Sequence, residues 1–208
     1  MFHAMKNLVI KGNKKKDALR ILVILFCILL TTILGIWFLH NNKSEDKMNR
    51  ESIDALLKII FISPNKDLVK HIPFTTSYTG SDAPEATVSE LNLLTDLLME
   101  QYLPYCTEKE SKNLMMAGPQ VRFQMFTDTY GYQISVDHIE IQQNKTDPRN
   151  YDFKVYLLYG PVGSEQTAII DSGSVQCLEN GKVSYLRFYD NRLFRILMEL
   201  EEELSKSQ

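Results

Sequence analysis

Few residues in this chain could do chemistry, and their spacing narrows what kind. There are four histidines, His3, His40, His71 and His138, and neither His71 nor His138 stands in a metal-ligand pattern. Asp137 and His138 are adjacent, the pairing that general acid–base catalysis uses, but a neighbouring exposed pair is its ordinary explanation. The stretch "GPVGSEQ" (160–166) lacks the Lys-Ser/Thr of a phosphate loop and reads as a hairpin turn. Cys106 and Cys177 lie far apart in sequence, and both a disulfide and two buried free thiols fit them. Asn144-Lys145-Thr146 matches a glycosylation acceptor, which matters only in a eukaryotic secretory pathway. No catalytic set, metal cluster or cofactor loop emerges, so the expectation is a protein that is not an enzyme and carries no cofactor.

What remains is binding chemistry. Along residues 182–189 strand alternation puts Val183, Tyr185, Arg187 and Tyr189 on one side and Leu186 and Phe188 on the other. Tyr156 lies with Lys154 and Leu158 on the preceding strand. Leu186 and Phe188 suit a core. Tyr156, Tyr185, Arg187 and Tyr189 suit a half-open face that holds a ligand or a protein, because tyrosine and arginine give much contact area with few flexible bonds. An ordinary solvated sheet face is the competing reading.

These residues are tied to a compartment by one segment. From Ile21 to Leu39 there is no charge. Nineteen residues at about 1.5 Å each give roughly 28 Å, close to a bilayer's hydrocarbon core. A cleaved signal would be shorter and would end in small residues, whereas this run ends in Ile36, Trp37, Phe38 and Leu39. A retained single-pass anchor is therefore expected. Lys6, Lys11, Lys14, Lys15, Lys16 and Arg20 precede it against Asp17 alone, which keeps the N-terminus cytoplasmic and the C-terminal part outside. The chain is −3 overall and its first twenty residues carry +5, leaving −8 for the rest. That balance argues against nucleic acid as a partner. The organisation expected is a cytoplasmic basic segment (1–20), a transmembrane helix (21–39), a polar stalk (40–48) and one extracytoplasmic domain (49–208).

The outer part opens with helices. Ile53, Leu56, Leu57, Ile60 and Phe61 form one apolar stripe at helical spacing. Ser63-Pro64 reads as cap and first position of a short helix through Asp67 to Lys70. Residues 73–83 read as a polar loop. Thr87 with Glu90, and Thr107 with Glu110, each form a capping box. The first starts a helix with Leu91, Leu94, Leu98 and Tyr102 inward, stopped by Pro104. The second starts one with Leu114 and Met115 inward, closed by Gly118-Pro119.

From Val121 the period changes to two, and "VRFQMFT" predicts a strand. "YQISVDHIEIQ" shifts phase between Val136 and Ile139, which predicts a bulge near Asp137-His138. "DFKVYLLY", "QTAIIDSGSVQCLE" and "KVSYLRFY" are further strands, the last two joined at Asn180-Gly181. Leu193, Ile196, Leu197, Leu200 and Leu204 mark a final amphipathic helix. Helices followed by antiparallel strands predict an α+β domain, with helices packed on a curved antiparallel sheet.

That order, together with "QYLPYCTEKESKNLMMAG", resembles a cystatin-like or NTF2-like extracytoplasmic domain of a small bacterial membrane protein. Tyr102, Pro104, Tyr105, Thr107, Glu108, Lys109 and Leu114 carry the likeness. The resemblance implies a cone whose sheet wraps a pocket or docks a partner; a few such domains are isomerases or dehydratases with a carboxylate base, and many have no activity. Three readings follow. The first is a membrane-anchored, non-enzymatic domain binding a protein or cell-envelope partner, with homo-oligomers a further option. The second is a scaffold subunit of a conjugation or type IV secretion-like channel, which shares this layout. The third is a small-ligand carrier or enzyme using the cone pocket around Tyr185 and Arg187.

Overall fold

In a computed structural model of the protein the described residues are 26, 28–33, 44–72, 85–117, 119–178 and 180–206. The chain divides into two compact units, Met1–Ser44 and Glu45–Gln208. In the first, residues 28–33 are helical with exposed apolar side chains, and the Thr31 and Thr32 hydroxyls bond back to carbonyls one turn earlier. Most of the expected span 21–39 lies outside the described residues, as does the loop 73–83. Among the described residues no helix is long and apolar enough to cross a membrane.

The second unit is an α+β domain. Its first helix (α1, residues 45–61) buries the predicted stripe completely: Ile53, Leu56, Leu57, Ile60 and Phe61 are all core residues. The start of α1 is bolted to the sheet. Asn49 donates to the Tyr151 hydroxyl at 3.1 Å, that hydroxyl donates to Asp46 at 3.1 Å, and Arg50 donates to the Ile141 carbonyl at 2.6 Å. The next turn differs from the sequence expectation. Ser63 is not a cap: it pairs with Ile134 as an isolated antiparallel bridge, across a cis Ser63-Pro64 bond. The short helix α2 is Lys66–Val69, and Asn65 caps it by accepting the Asp67 N–H at 3.0 Å. Asn65 satisfies the free donor that Ser63 was expected to satisfy.

Helix α3 is Glu85–Tyr102. Thr87 lies inside it, so the predicted capping box does not start this helix. Leu94, Leu98 and Tyr102 are buried as expected, but Leu91 is 41% exposed. Helix α4 is Glu108–Ala117, with Leu114 buried and Met115 packed on the core.

The largest correction follows. "VRFQMFT" is not a strand but the body of helix α5, Pro119–Tyr130. Pro119 suits a first helical turn, where its missing N–H costs nothing. The buried residues Gln120, Phe123, Gln124 and Thr127 fall at helical spacing. The glutamines are buried because each finds a partner: Gln120 accepts from the Tyr102 hydroxyl, and Gln124 donates to the Ile62 carbonyl at 3.0 Å.

Four strands then run as an antiparallel meander in the order β1-β2-β3-β4: Tyr132–Gln143, Asn150–Pro161, Thr167–Cys177 and Val183–Phe188. The predicted bulge is present, since the β1–β2 register shifts between Val136 and His138. Leu178 donates to Lys182 at 2.8 Å across the Asn180-Gly181 turn, where Gly181 takes the left-handed φ of 79° that this turn requires. Helix α6, Arg192–Lys206, buries Leu193 and Leu197 and rests Ile196, Leu200 and Leu204 against the core. Phe61 meets Phe123 of α5 and Phe188 of β4, with ring centroids 5.7 and 5.6 Å apart. The helices therefore pack on the sheet face carrying Phe153, Val155, Ile169, Val175 and Leu186.

Candidate functional site

Two places in the domain could do more than hold it together. One is the opposite, outward face of the sheet. Register puts Glu140 and His138 of β1 beside Lys154 and Tyr156 of β2, then Ile170, Ser172, Ser174 and Gln176 of β3, then Tyr185 and Arg187 of β4. Tyr185 is 50% and Tyr189 is 53% exposed. The structure thus brings Tyr156, Tyr185, Arg187 and Tyr189 to one face, as alternation predicts. Val183 is the exception. A register shift at Gln176/Cys177 breaks the phase of β4, pairs Val183 with Cys177 and turns it wholly into the core.

The polar groups of this face are largely engaged with one another. Tyr189 reaches across β3 to donate to Asp152 at 2.9 Å. His138 stacks on Tyr156, ring centroids 3.9 Å apart and 14° from parallel, and its Nδ1 lies 2.7 Å from Asp137. Desolvation, followed by a hydrogen bond to the Glu140 carboxylate, raises the Tyr156 phenol pKa. Asp137 and His138 do meet, as the sequence suggests, but on an open surface where the ring stacks on a tyrosine. Beside the pair, Asp137 and Tyr156 border a half-open pocket of about 360 Å³ that Ile170 and Arg192 also line.

Both sheet edges are partly capped. Beyond β4, Thr107 donates to Val183 and Val183 to Tyr105, each at 2.8 Å, forming a parallel bridge at Cys106. Further along, the Leu186 N–H donates to the buried Glu110 carboxylate at 2.9 Å. Thr107 accepts the Glu110 N–H at 3.3 Å, so half of the predicted capping box forms. The Glu110 side chain leaves the other half to serve the sheet. On the β1 side, Ser63 and Arg50 take up Ile134 and the Ile141 carbonyl. Blunted edges of this kind disfavour strand addition and leave the face as the accessible surface.

The second place is on the other face of the sheet and is open to solvent at Asn191 and Phe194. A cavity of about 240 Å³ lies between helices and sheet, lined by Phe61, Leu114, Phe123, Asp171, Leu186 and Phe188 among others. Asp171 is 2% exposed. Its two oxygens accept the N–H groups of Arg192 at 2.7 Å and Leu193 at 3.1 Å, at the start of α6. Sequence reasoning missed Asp171, and gave Glu110 only its capping role and not its bond to the sheet. Each is a carboxylate on an otherwise apolar or small-residue face, and its partner lies 22 or 76 residues further along.

Among the described residues no three of His, Cys, Asp and Glu converge as a metal site would need. Comparison with known proteins finds no match, whether among family models, curated proteins or solved structures.

Proposed function

We propose that this chain is a membrane-tethered, non-enzymatic binding domain that docks a protein or cell-envelope partner on the outward face of its sheet. The observation that carries the reading is the outward face itself, where Tyr185, Arg187 and Tyr189 stand exposed along β4 and just beyond it, with Tyr156 on β2 towards the other end of the same face. An antiparallel sheet can keep one solvated face, but aromatic and arginine side chains grouped there have the composition of interface centres. The uncharged run 21–39 supplies the tether, and the basic segment before it supplies the orientation.

The test uses the full-length protein in its own membrane. A photo-reactive residue replaces Gln176, which is exposed beside Tyr185, and a second version carries it at Leu93 on α3 as control. The expected result is a discrete crosslinked species from position 176 that is absent from 93 and that Tyr185→Ala weakens severalfold without changing the thermal midpoint. Equal, diffuse labelling from both positions counts against the reading.

A second reading has its own observation. A small-ligand carrier would use the inner cavity, whose apolar walls and single carboxylate have the character of a small-molecule site. Native mass spectrometry of detergent-solubilised full-length protein would then show a retained small molecule, and Leu114→Trp, which fills the cavity, would remove it.

A further inference from the structure

The pocket on the inner face of the sheet joins aromatic walls to one buried carboxylate. Phe61 of α1, Phe123 of α5, Phe188 of β4 and Phe194 of α6 supply four rings. Phe61 lies 18° from parallel to Phe123 and meets Phe188 edge to face at 83°. Among the described residues that line the pocket, Asp171 and Asn191 alone have polar side chains. Asn191 is exposed at the mouth, whereas Asp171 is 2% exposed.

Asp171 has acceptor capacity left over. The Arg192 N–H takes one of its oxygens and the Leu193 N–H takes the other. An ionised carboxylate offers about four lone-pair sites, so these bonds occupy roughly half of them. A donor on a molecule in the pocket would meet an acceptor that α6 leaves open. The space limits the size of that molecule. The cavity is about 240 Å³, and an apolar cavity of about 150 Å³ holds benzene. One substituted ring or two fused rings therefore fit.

Resting on the second reading above, and independent of the docking face, we infer that this pocket takes a small neutral aromatic molecule of one or two rings, with a single N–H or O–H donor turned to Asp171. The rings of the wall favour an aromatic occupant, because aromatic pairs gain from edge-to-face and offset contacts beyond the area they bury. An acid is disfavoured, since it would bring a second negative charge out of water beside a buried carboxylate. An ammonium is disfavoured for a different reason. It carries three donors, and the buried part of the wall has one acceptor side chain to offer them. A single neutral donor matches that one acceptor and leaves no polar group of the ligand stranded among the phenylalanines.

The experiment titrates full-length protein in lipid nanodiscs by calorimetry, with empty nanodiscs as the blank. The probes are indole, its donor-free isostere benzofuran, benzylamine and benzoate. Indole should bind at least fivefold more tightly than benzofuran, and benzylamine and benzoate should bind more weakly than indole. Comparing indole with benzofuran needs no variant, so it holds whatever a substitution does to folding. Leu114→Trp should abolish binding of both, and Asp171→Asn, checked by thermal unfolding, should bring the two affinities within twofold. Equal binding of indole and benzofuran to the unaltered protein overturns the donor inference and leaves the pocket reading standing. Tighter binding of benzylamine or benzoate than of indole overturns it as well, as does indole binding that a folded Leu114→Trp protein retains. Absence of binding above the blank for all four probes removes the pocket reading, and this inference with it.

Discussion

The carboxylate of Asp171 in β3 accepts the backbone N–H of Leu193 in α6, at 3.1 Å, and so fixes the last helix to the inner face of the sheet. Its other oxygen takes the Arg192 N–H at 2.7 Å. Asn191, just before the helix, has a φ of 44°, and its carbonyl accepts from Arg195. The first free donors of α6 are therefore satisfied by a residue 21 and 22 positions upstream rather than by a local cap.

Asp171→Ala should destabilise the domain by about 1–3 kcal/mol, since it leaves buried N–H donors without acceptors. Asp171→Asn, which keeps one acceptor oxygen, should lose less. Urea unfolding followed by far-ultraviolet circular dichroism would measure both. A loss in the alanine variant below about 0.5 kcal/mol would mean that water replaces the carboxylate and that the bond does not hold α6.

Gly173 sits two residues further along β3, paired with Phe153 on one side and Phe188 on the other. Those two rings meet edge to face with centroids 5.6 Å apart. A Cβ at Gly173 would collide with the Arg187 carbonyl and the Phe153 ring. Gly173→Ala should therefore cost about 1–3 kcal/mol, the usual range for overpacking a filled core. An unchanged unfolding midpoint would show that β4 can move outward freely.

Cys106 and Cys177 should both remain thiols. Cys106 bridges Val183 from one side and Cys177 pairs with it from the other. Two strand spacings of about 4.8 Å put their Cα atoms roughly 9–10 Å apart, beyond the ~7 Å limit for a disulfide. Protein denatured without reductant should take up an alkylating reagent at both residues, read by peptide mass spectrometry. Recovery of a linked Cys106–Cys177 peptide would require a different arrangement around Val183.

Stability should fall in alkali. Burial, then Glu110 and the Cys177 thiol, push Cys106 up to about 12, and burial followed by Glu45 pushes Cys177 up to about 12, from an ordinary 9.0. Burial also leads in raising Tyr151 from 10.0 to about 12. These groups stay protonated in the folded protein when the unfolded chain has already lost its protons. Their stabilising contribution is complete below about pH 9 and is lost as pH climbs from about 9 towards 12. Urea midpoints taken from pH 8 to 11 should decline steadily, and Cys106→Ser with Cys177→Ser should flatten the first part of that decline. A midpoint level to pH 11 would contradict the burial of these groups.

Much of this domain is legible in its sequence because the signals are local. The stripe from Ile53 to Phe61, the four alternating strands, the phase shift at Asp137 and the Asn180-Gly181 turn each depend on neighbours a few residues away. So does the outward placement of Tyr185, Arg187 and Tyr156. Four features needed the tertiary structure. Residues 121–127 alternate well enough for a strand, and the helix wins because Tyr102 and Ile62 satisfy Gln120 and Gln124, allowing those polar residues to lie inward. Val183 turns inward because the β3–β4 register shifts at Gln176/Cys177. Glu110 looks like a local cap, yet its carboxylate goes to Leu186, 76 residues away. Asp171 looks like a surface position on a strand, yet it is buried because α6 brings two unpaired N–H groups to it. In all but Val183 the deciding partner is remote in sequence, and a buried polar group takes its position from whichever partner the fold delivers.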